Sequence, residues 1–125
     1  MCAVRVLVAE DDSCLRTSIE RMLRRIYSKS NIFWATTAEE AEKMMRVMKF
    51  DLSIVDYQLA GEMNGMDLIE KIRKVNPYGT VIMMSGLPIR NFLEVMDRDQ
   101  NFIPFLPKPF SLHEFSNVVQ SHFKR

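Results

Sequence analysis

Four short polar segments, each beside an apolar run, contain the residues best suited to chemistry. An acidic run follows VRVLVA, an aspartate follows LSIV, a serine follows TVIMM and a lysine precedes a proline near the C-terminus: Glu10, Asp11, Asp12, Asp56, Ser85 and Lys108. Each group has an ordinary structural interpretation by itself, because aspartates often cap helices and lysines are mostly exposed. Together, they predict a site for a cation and an anion.

Several carboxylates at one site repel one another unless a cation joins them. Hard oxygen ligands combined with phosphate oxygens are what Mg²⁺ prefers, so Glu10, Asp11 and Asp56 are predicted to hold Mg²⁺. Asp56 would then act as the nucleophile toward a phosphoryl group. Lys108, a compact positive charge, and Ser85, a hydroxyl donor, suit the remaining phosphate oxygens. Because an acyl phosphate reacts with water, the modification would be transient, which is typical of a switch.

Strands must position these residues. Short apolar runs rich in β-branched residues predict five strands, at Val4 to Ala9, Asn31 to Ala35, Leu52 to Val55, Thr80 to Met84 and Phe102 to Leu106. The last strand is predicted to be broken by Pro107 and Pro109.

Apolar residues at helical spacing predict a helix after each strand. Two of these helices open with capping-box spacing, Thr37 with Glu40 and Ser111 with Glu114. The apolar sides of the other three lie within Leu15 to Ile26, Leu68 to Val75 and Pro88 to Met96. This alternation predicts an α/β, doubly wound fold with a mostly parallel sheet and helices on both faces. In such folds, ligands bind at the carboxyl ends of the strands, where the polar groups lie.

Size and composition narrow the class of protein. The 125 residues, 47% hydrophobic and 26% charged, fit a single domain over 1–125, and the βα units leave no room for an output domain. A net charge of +1 provides no field that would gather nucleic acid or an anionic membrane. Cys2 and Cys14 lack C-x-x-C or zinc spacing, no signal peptide precedes the first strand, and no apolar run reaches the roughly 20 residues of a membrane span. These features predict a cytoplasmic location.

With these motifs in order, the chain resembles the receiver domains of two-component response regulators, typified by the chemotaxis response regulator. The motifs are VLVAEDD, DLSIVDYQL, TVIMMSG and FLPKPF, and they cover almost the whole chain. The resemblance implies a flavodoxin-like (βα)5 sandwich with strand order 2-1-3-4-5. It also implies a phosphorelay role, in which the domain catalyses only its own phosphorylation and dephosphorylation.

The resemblance implies a role for each matching residue. Asp56 would be the phosphoacceptor, Lys108 the phosphate-binding lysine and Ser85 the switch hydroxyl. Phe105 falls at the aromatic switch position. The metal ligands would be Glu10, Asp11, Asp56 and the backbone carbonyl of Gln58.

The resemblance also implies partners. The phosphodonor would be a histidine kinase or a histidine phosphotransfer protein. A downstream output protein would bind the face formed by the fourth helix, the fifth strand and the fifth helix, with Phe92 and Met96 on the fourth helix. A homodimer would be compatible with this arrangement, whereas direct binding to nucleic acid or a membrane is not expected.

The chain departs from the family pattern at four places. Glu10 replaces the commoner aspartate, and Ala60 stands where a proline is frequent. The stretch from Gly61 to Gly65 is one residue longer than common, and Leu87 is apolar where many relatives have a polar residue. Leu87 would shield an acyl phosphate from water, and the longer stretch leaves the loop geometry open.

Two other functions stay open. Phosphatases of the haloacid dehalogenase type use similar aspartyl chemistry on external substrates, but they need a second acid two residues after the nucleophile, where this chain has Gln58. They also carry cap insertions, and no loop here is long enough for one. The other alternative is a receiver that is never phosphorylated and serves only in interaction or dimerisation.

Overall fold

The computed structural model describes residues 3–87 and 103–123. Its single sheet has five strands in the order β2-β1-β3-β4-β5, and every pairing is parallel. The strands are β1 (Val4–Ala9), β2 (Ser30–Ala35), β3 (Leu52–Asp56), β4 (Thr80–Ser85) and β5 (Phe105–Pro107). This arrangement confirms the predicted α/β fold and strand order.

Helices of the described residues cover both faces of the sheet. They are α1 (Ser13–Ile26), α2 (Ala38–Val47), α3 (Gly65–Val75) and α4 (Leu112–His122). The short helix predicted near Pro88 to Met96, with Phe92, lies outside the described residues. Val75, predicted on the buried side of its helix, is 48% exposed because it is the last helical residue, one turn beyond the buried Ile72.

The predicted capping boxes have different outcomes. Ser111 and Glu114 form the reciprocal box at the start of α4. At the start of α2, Thr37 Oγ1 accepts from Glu40 N at 3.1 Å, but the Glu40 carboxylate bonds to Thr36 instead. The second half of a capping box needs the N-cap amide, Thr37 N, to donate to the Glu40 carboxylate, but Glu40 Oε2 accepts from the Thr36 amide and hydroxyl instead. The predicted second half of that box is therefore wrong.

The bounds predicted for the fifth strand, Phe102 to Leu106, are wrong. Residues 103 and 104 lie outside the strand, Phe102 lies outside the described residues, and β5 runs from Phe105 to Pro107, which ends it. Within the described sheet, β5 is one of the two edge strands and pairs with β4. A proline is tolerated at such an edge because its missing N–H faces away from a partner strand. Pro107 lies opposite Ser85 in the register, and the next residue restores the hydrogen bonding through Lys108 N to Ser85 O at 2.8 Å.

Two apolar cores flank the sheet and hold its central strands. One core lies beneath α2 and α3 and includes Leu7 and Val55, while the other lies beneath α1 and α4 and includes Val6 and Ile54. Because parallel strands are covered on both faces, β3 is buried along its whole length. The carboxyl ends of β1 and β3 are therefore held side by side. Among the described residues, no helix is both long and apolar enough to cross a membrane.

Candidate functional site

Three carboxylates meet where β1 and β3 end. Glu10 and Asp11 follow β1 directly, and Asp56 is the last residue of the neighbouring strand β3. One oxygen from each side chain lies within 4.8 Å of the others. Glu10 is 1% exposed and Asp56 is 3% exposed, whereas Asp11 faces solvent. The Glu10 and Asp56 side chains are thus shielded from solvent, and solvent reaches the cluster at Asp11.

A lysine that follows the edge strand β5 neutralises two of these acids. Lys108 follows β5, and its Nζ lies 2.8 Å from Glu10 Oε2 and 2.9 Å from Asp56 Oδ2. The Lys108 side chain is 23% exposed, so these are sheltered ion pairs. The peptide bond between Lys108 and Pro109 is cis.

Burial and charge act on the ionisation of this cluster. Burial raises the pKa of Glu10 above its ordinary value, although hydrogen bonds from Lys108 and from Asp12 N oppose the shift. Burial alone would lower the pKa of Lys108, but hydrogen bonds to the two acids and their negative charges outweigh it. The pKa of Lys108 is therefore raised, and the ammonium stays charged across the neutral range.

The three acidic residues after β1, Glu10, Asp11 and Asp12, make different contacts. Asp12 is the N-cap of α1, and its Oδ1 accepts from Cys14 N at 2.9 Å and from Leu15 N at 3.3 Å. Its own amide donates to Glu10 Oε1 at 3.1 Å. Asp12 therefore stabilises the helix and orients Glu10, while Glu10 and Asp11 belong to the carboxylate cluster.

Ser85 lies at the carboxyl end of β4, beside β3. It is fully buried, and its Oγ accepts a hydrogen bond from Leu87 N at 3.0 Å. Leu87 is half-buried and packs on the core beneath α2 and α3. Phe105, the first residue of β5, is also half-buried and packs on that core.

The loop after β3 begins against the Asp56 side chain. Gln58 N donates to Asp56 Oδ1 at 3.1 Å, while the Gln58 side chain is exposed. Asp56 therefore accepts from Gln58 on one oxygen and from Lys108 on the other. Both contacts orient its carboxylate within the cluster.

The donor set fits a hard divalent cation. Glu10, Asp11 and Asp56 offer only carboxylate oxygens, the ligand type that Mg²⁺ takes together with water and phosphate oxygens. With the open side at Asp11, a metal bound to these acids would keep positions for other ligands. The cluster can therefore hold a cation beside an anionic group, with Lys108 as a second positive charge.

Sequence reasoning missed Glu39, in the first turn of α2. Its Oε1 accepts hydrogen bonds from Glu62 N at 3.0 Å and Met63 N at 3.3 Å, in the loop after Asp56. An acid in the first turn of a helix is already explained by the helix dipole, so the residue type alone gave no reason to look further. The predicted extra length between Gly61 and Gly65 was the one sequence feature that directed attention to this loop.

The family of the chain follows from a comparison with family models. The model for the response regulator receiver domain matches residues 6–120, which is most of the chain. The chain belongs to the response regulator receiver domain family.

Two relatives of this receiver domain are longer proteins, and the similarity covers only part of each. It is 34% identical over 125 residues to the DNA-binding transcriptional regulator NtrC of Azospirillum brasilense, covering 96% of this chain and 24% of that protein. It is 30% identical over 122 residues to the sensor kinase CckA of Brucella abortus (strain 2308), covering 96% of this chain and 12% of that protein. The receiver domain thus spans about a quarter or less of the length of these relatives.

Solved structures share the fold. The non-phosphorylated HemR receiver domain from Leptospira biflexa is 28% identical, with a TM-score of 0.80 over 98% of this chain and 95% of that chain. The chemotaxis protein CheY4 of Vibrio cholerae is 18% identical, with a TM-score of 0.81 over 97% of this chain and 99% of that chain, and this likeness concerns the fold alone. The fold and the family therefore agree.

Proposed function

We propose that this receiver domain accepts a phosphoryl group on Asp56 in a two-component phosphorelay, with a phosphohistidine as donor. A histidine kinase or a histidine phosphotransfer protein would supply that phosphohistidine. The observation that carries the proposal is the contact of Lys108 Nζ with Asp56 Oδ2 at 2.9 Å, within a cluster that also contains Glu10 and Asp11. A nucleophile, a cation site and a fixed positive charge are thereby in one place.

The transfer is an in-line displacement at phosphorus. An oxygen of the Asp56 carboxylate forms a new O–P bond while the N–P bond of the donor breaks, and its electron pair stays on the imidazole nitrogen. Lys108 donates to an oxygen of the transferred group, and the buried Ser85 hydroxyl donates to another. Mg²⁺, held by Glu10, Asp11, Asp56 and the backbone carbonyl of Gln58, would offset negative charge on the phosphate oxygens.

Phosphorylation would act as a switch of partner binding. Negative charge added at Asp56 would draw the Ser85 hydroxyl toward it and change the packing of Phe105, which is half-buried on β5. We propose the partner surface that the resemblance implies: the predicted fourth helix, which lies outside the described residues, together with β5 and α4, the fifth helix of the sequence prediction. The same surface would suit a homodimer. A downstream output protein would read this surface, without direct contact to nucleic acid or membrane.

Residues 1–125 would therefore work as one cytoplasmic receiver domain. It would turn over only its own aspartyl phosphate and no external substrate. Multiple-turnover release of phosphate from a phosphate ester would contradict this part of the proposal and favour a phosphatase.

Intact mass spectrometry tests the proposed phosphoacceptor. The protein is incubated with Mg²⁺ and a small acyl-phosphate donor, and one added phosphate is expected on the wild type and none on Asp56→Asn. The matched control is Asp12→Asn, because asparagine caps a helix as well as aspartate does and the control should keep the adduct. An unmodified wild type, or an Asp56→Asn protein that still gains the phosphate, would refute the proposal.

A further inference from the structure

The loop between β3 and α3, residues 57–64, is fixed at both of its ends. At its start, Gln58 N bonds to Asp56 Oδ1 at 3.1 Å. At its end, Gly65 N bonds to Tyr57 O at 2.9 Å, and Asn64 caps α3. The stretch between these two ends includes Gly61, Glu62 and Met63. It needs contacts of its own if it is to keep one conformation.

Helix α2 supplies those contacts. Glu39 Oε1 accepts from both Glu62 N, at 3.0 Å, and Met63 N, at 3.3 Å. Just before α2, Thr37 forms an isolated parallel bridge with Ala60. The pKa of Glu39 is lowered by its own backbone amide first and then by the amides of Met63 and Glu62, against an opposing effect of burial, so the carboxylate is ionised when it holds the loop.

Gly61 shows that the loop and the carboxylate fit closely. Its φ of 104° lies in the region that favours glycine. A Cβ added to Gly61 would lie 2.6 Å from Glu39 Oε2. The loop therefore passes against the Glu39 carboxylate at the one residue that has no side chain to interfere.

We propose that Glu39 is a positioning residue for metal binding: by holding Glu62 and Met63, it fixes the loop whose first turn places Gln58 against Asp56. Glu39 belongs to no part of the carboxylate cluster, so it would act through the loop backbone. This inference rests on the proposed function, because it takes the Gln58 carbonyl as a metal ligand. A loop without the anchor would have to be ordered when the metal binds, and the apparent affinity would fall by that ordering cost.

Two substitutions separate the reach of the side chain from its charge. Glu39→Asp keeps the charge but withdraws the carboxylate by one methylene, and it should raise the Kd for Mg²⁺ by about tenfold, at the low end of effects from groups that orient metal ligands. Glu39→Gln loses the charge but keeps an oxygen that can accept both amides, and its Kd should stay close to that of the wild type. Isothermal titration with Mg²⁺ measures each Kd.

Glu42, one turn along α2, provides the matched controls. It pairs with Lys71 and Arg46 and makes no contact with the loop among its described bonds. Glu42→Asp and Glu42→Gln should both leave the Kd for Mg²⁺ unchanged. Hydrogen exchange adds a second readout, because the amides of Glu62 and Met63 should exchange faster in Glu39→Asp than in the wild type, without Mg²⁺ present.

Each outcome decides the inference. Equal Mg²⁺ affinities in the wild type and Glu39→Asp would overturn it, and so would a Glu39→Gln protein as weak as Glu39→Asp, since charge and not reach would then matter. A loss of affinity that also appears in the Glu42 variants would overturn it as a general effect of helix α2. A wild type that takes up no phosphate while the affinities keep the expected order would refute the proposed function and leave this inference standing.

Discussion

The Lys108 ammonium lies 2.9 Å from the Asp56 carboxylate, measured from Nζ to Oδ2. The same Nζ contacts Glu10 Oε2 at 2.8 Å, so one cation neutralises two acids that are almost completely buried. Without that cation, two like charges would share a site of low dielectric constant. Lys108 is therefore a structural part of the acidic cluster as well as the proposed phosphate-binding residue.

Lys108→Met should destabilise the protein in the absence of Mg²⁺. Methionine keeps most of the side-chain volume but leaves both carboxylates without their ammonium, and removing one partner of a buried ion pair costs about 3 kcal/mol. Urea unfolding at neutral pH in the presence of a chelator measures this change. Added Mg²⁺ should restore part of the lost stability, because a ligand that binds the folded state stabilises it.

The matched control for Lys108→Met is Lys71→Met. Lys71 pairs with Glu42 at 3.1 Å, but its side chain is 46% exposed, so the loss should be below about 1 kcal/mol. If both variants lose the same free energy of unfolding, the pairing of Lys108 with the buried acids has no special role in stability.

The metal-free protein should also show a stability that depends on Glu10 and pH. Burial raises the pKa of Glu10 in the folded state, so the folded protein binds this proton more tightly than the unfolded chain does. The associated stability is present below the ordinary glutamate pKa and is lost as the pH rises through the raised value. Glu10→Gln removes this titration while keeping the side-chain shape. The stability of the wild type relative to Glu10→Gln should therefore fall with rising pH across that window, measured by urea unfolding, and a difference independent of pH would contradict the prediction.

Much of the fold was predictable because the central strands are buried on both faces. In β1 and β3 nearly every side chain is buried, so the sequence there is mostly apolar, with Arg5 in β1 and Ser53 and Asp56 in β3 as the polar residues. The bounds predicted for β5 were wrong, because β5 lies at an edge of the described sheet, where a proline at the end of a strand is tolerated. Edge strands follow fewer constraints that a local pattern can reveal.

The candidate site was likewise predictable from the sequence only in part. The meeting of Glu10 and Asp56 follows from two parallel strands ending at one edge, which the alternation of elements already implies. The contact from Lys108 to Glu10 could not be read from local sequence, because β5 and β1 are separated in the sheet by β3 and β4. The hydrogen bond from Glu62 N to Glu39 Oε1 was likewise hidden, since it joins residues 23 positions apart in the chain. The chemical roles of these residues stay predictions.

Two neighbouring aspartates should respond in opposite ways to substitution. Asp11→Ala removes an exposed carboxylate of the cluster, so the Kd for Mg²⁺ should rise by more than about tenfold with little change in stability. Asp12→Ala removes the N-cap of α1, so the free energy of unfolding should fall by about 1 kcal/mol while the Kd changes little. Calorimetric titration and urea unfolding of both proteins provide the comparison. The assignment is contradicted if Asp12→Ala loses more Mg²⁺ affinity than Asp11→Ala.

Helix α3 begins at Gly65, which lies against the backbone of Asp56, the proposed phosphoacceptor. A Cβ at Gly65 would lie 2.7 Å from Tyr57 Cα and closer still to Asp56 O. Such atoms cannot move aside as a flexible side chain can, so α3 or the end of β3 must shift. The better helix propensity of alanine would contribute about 1 kcal/mol in the opposite direction. Because the overlap is with backbone, Gly65→Ala should still lower the free energy of unfolding by about 2 kcal/mol.

Gly86→Ala is the control for Gly65→Ala, because a Cβ at Gly86 would meet no atom of the described residues within 4 Å and should change the stability by less than about 0.5 kcal/mol. Since the shift in Gly65→Ala displaces the backbone that carries Asp56, phosphorylation by an acyl-phosphate donor should be slower in this variant at saturating Mg²⁺. Urea unfolding and the rate of adduct formation measure the two effects. A Gly65→Ala protein as stable and as reactive as the wild type would mean that α3 does not hold Asp56 in place.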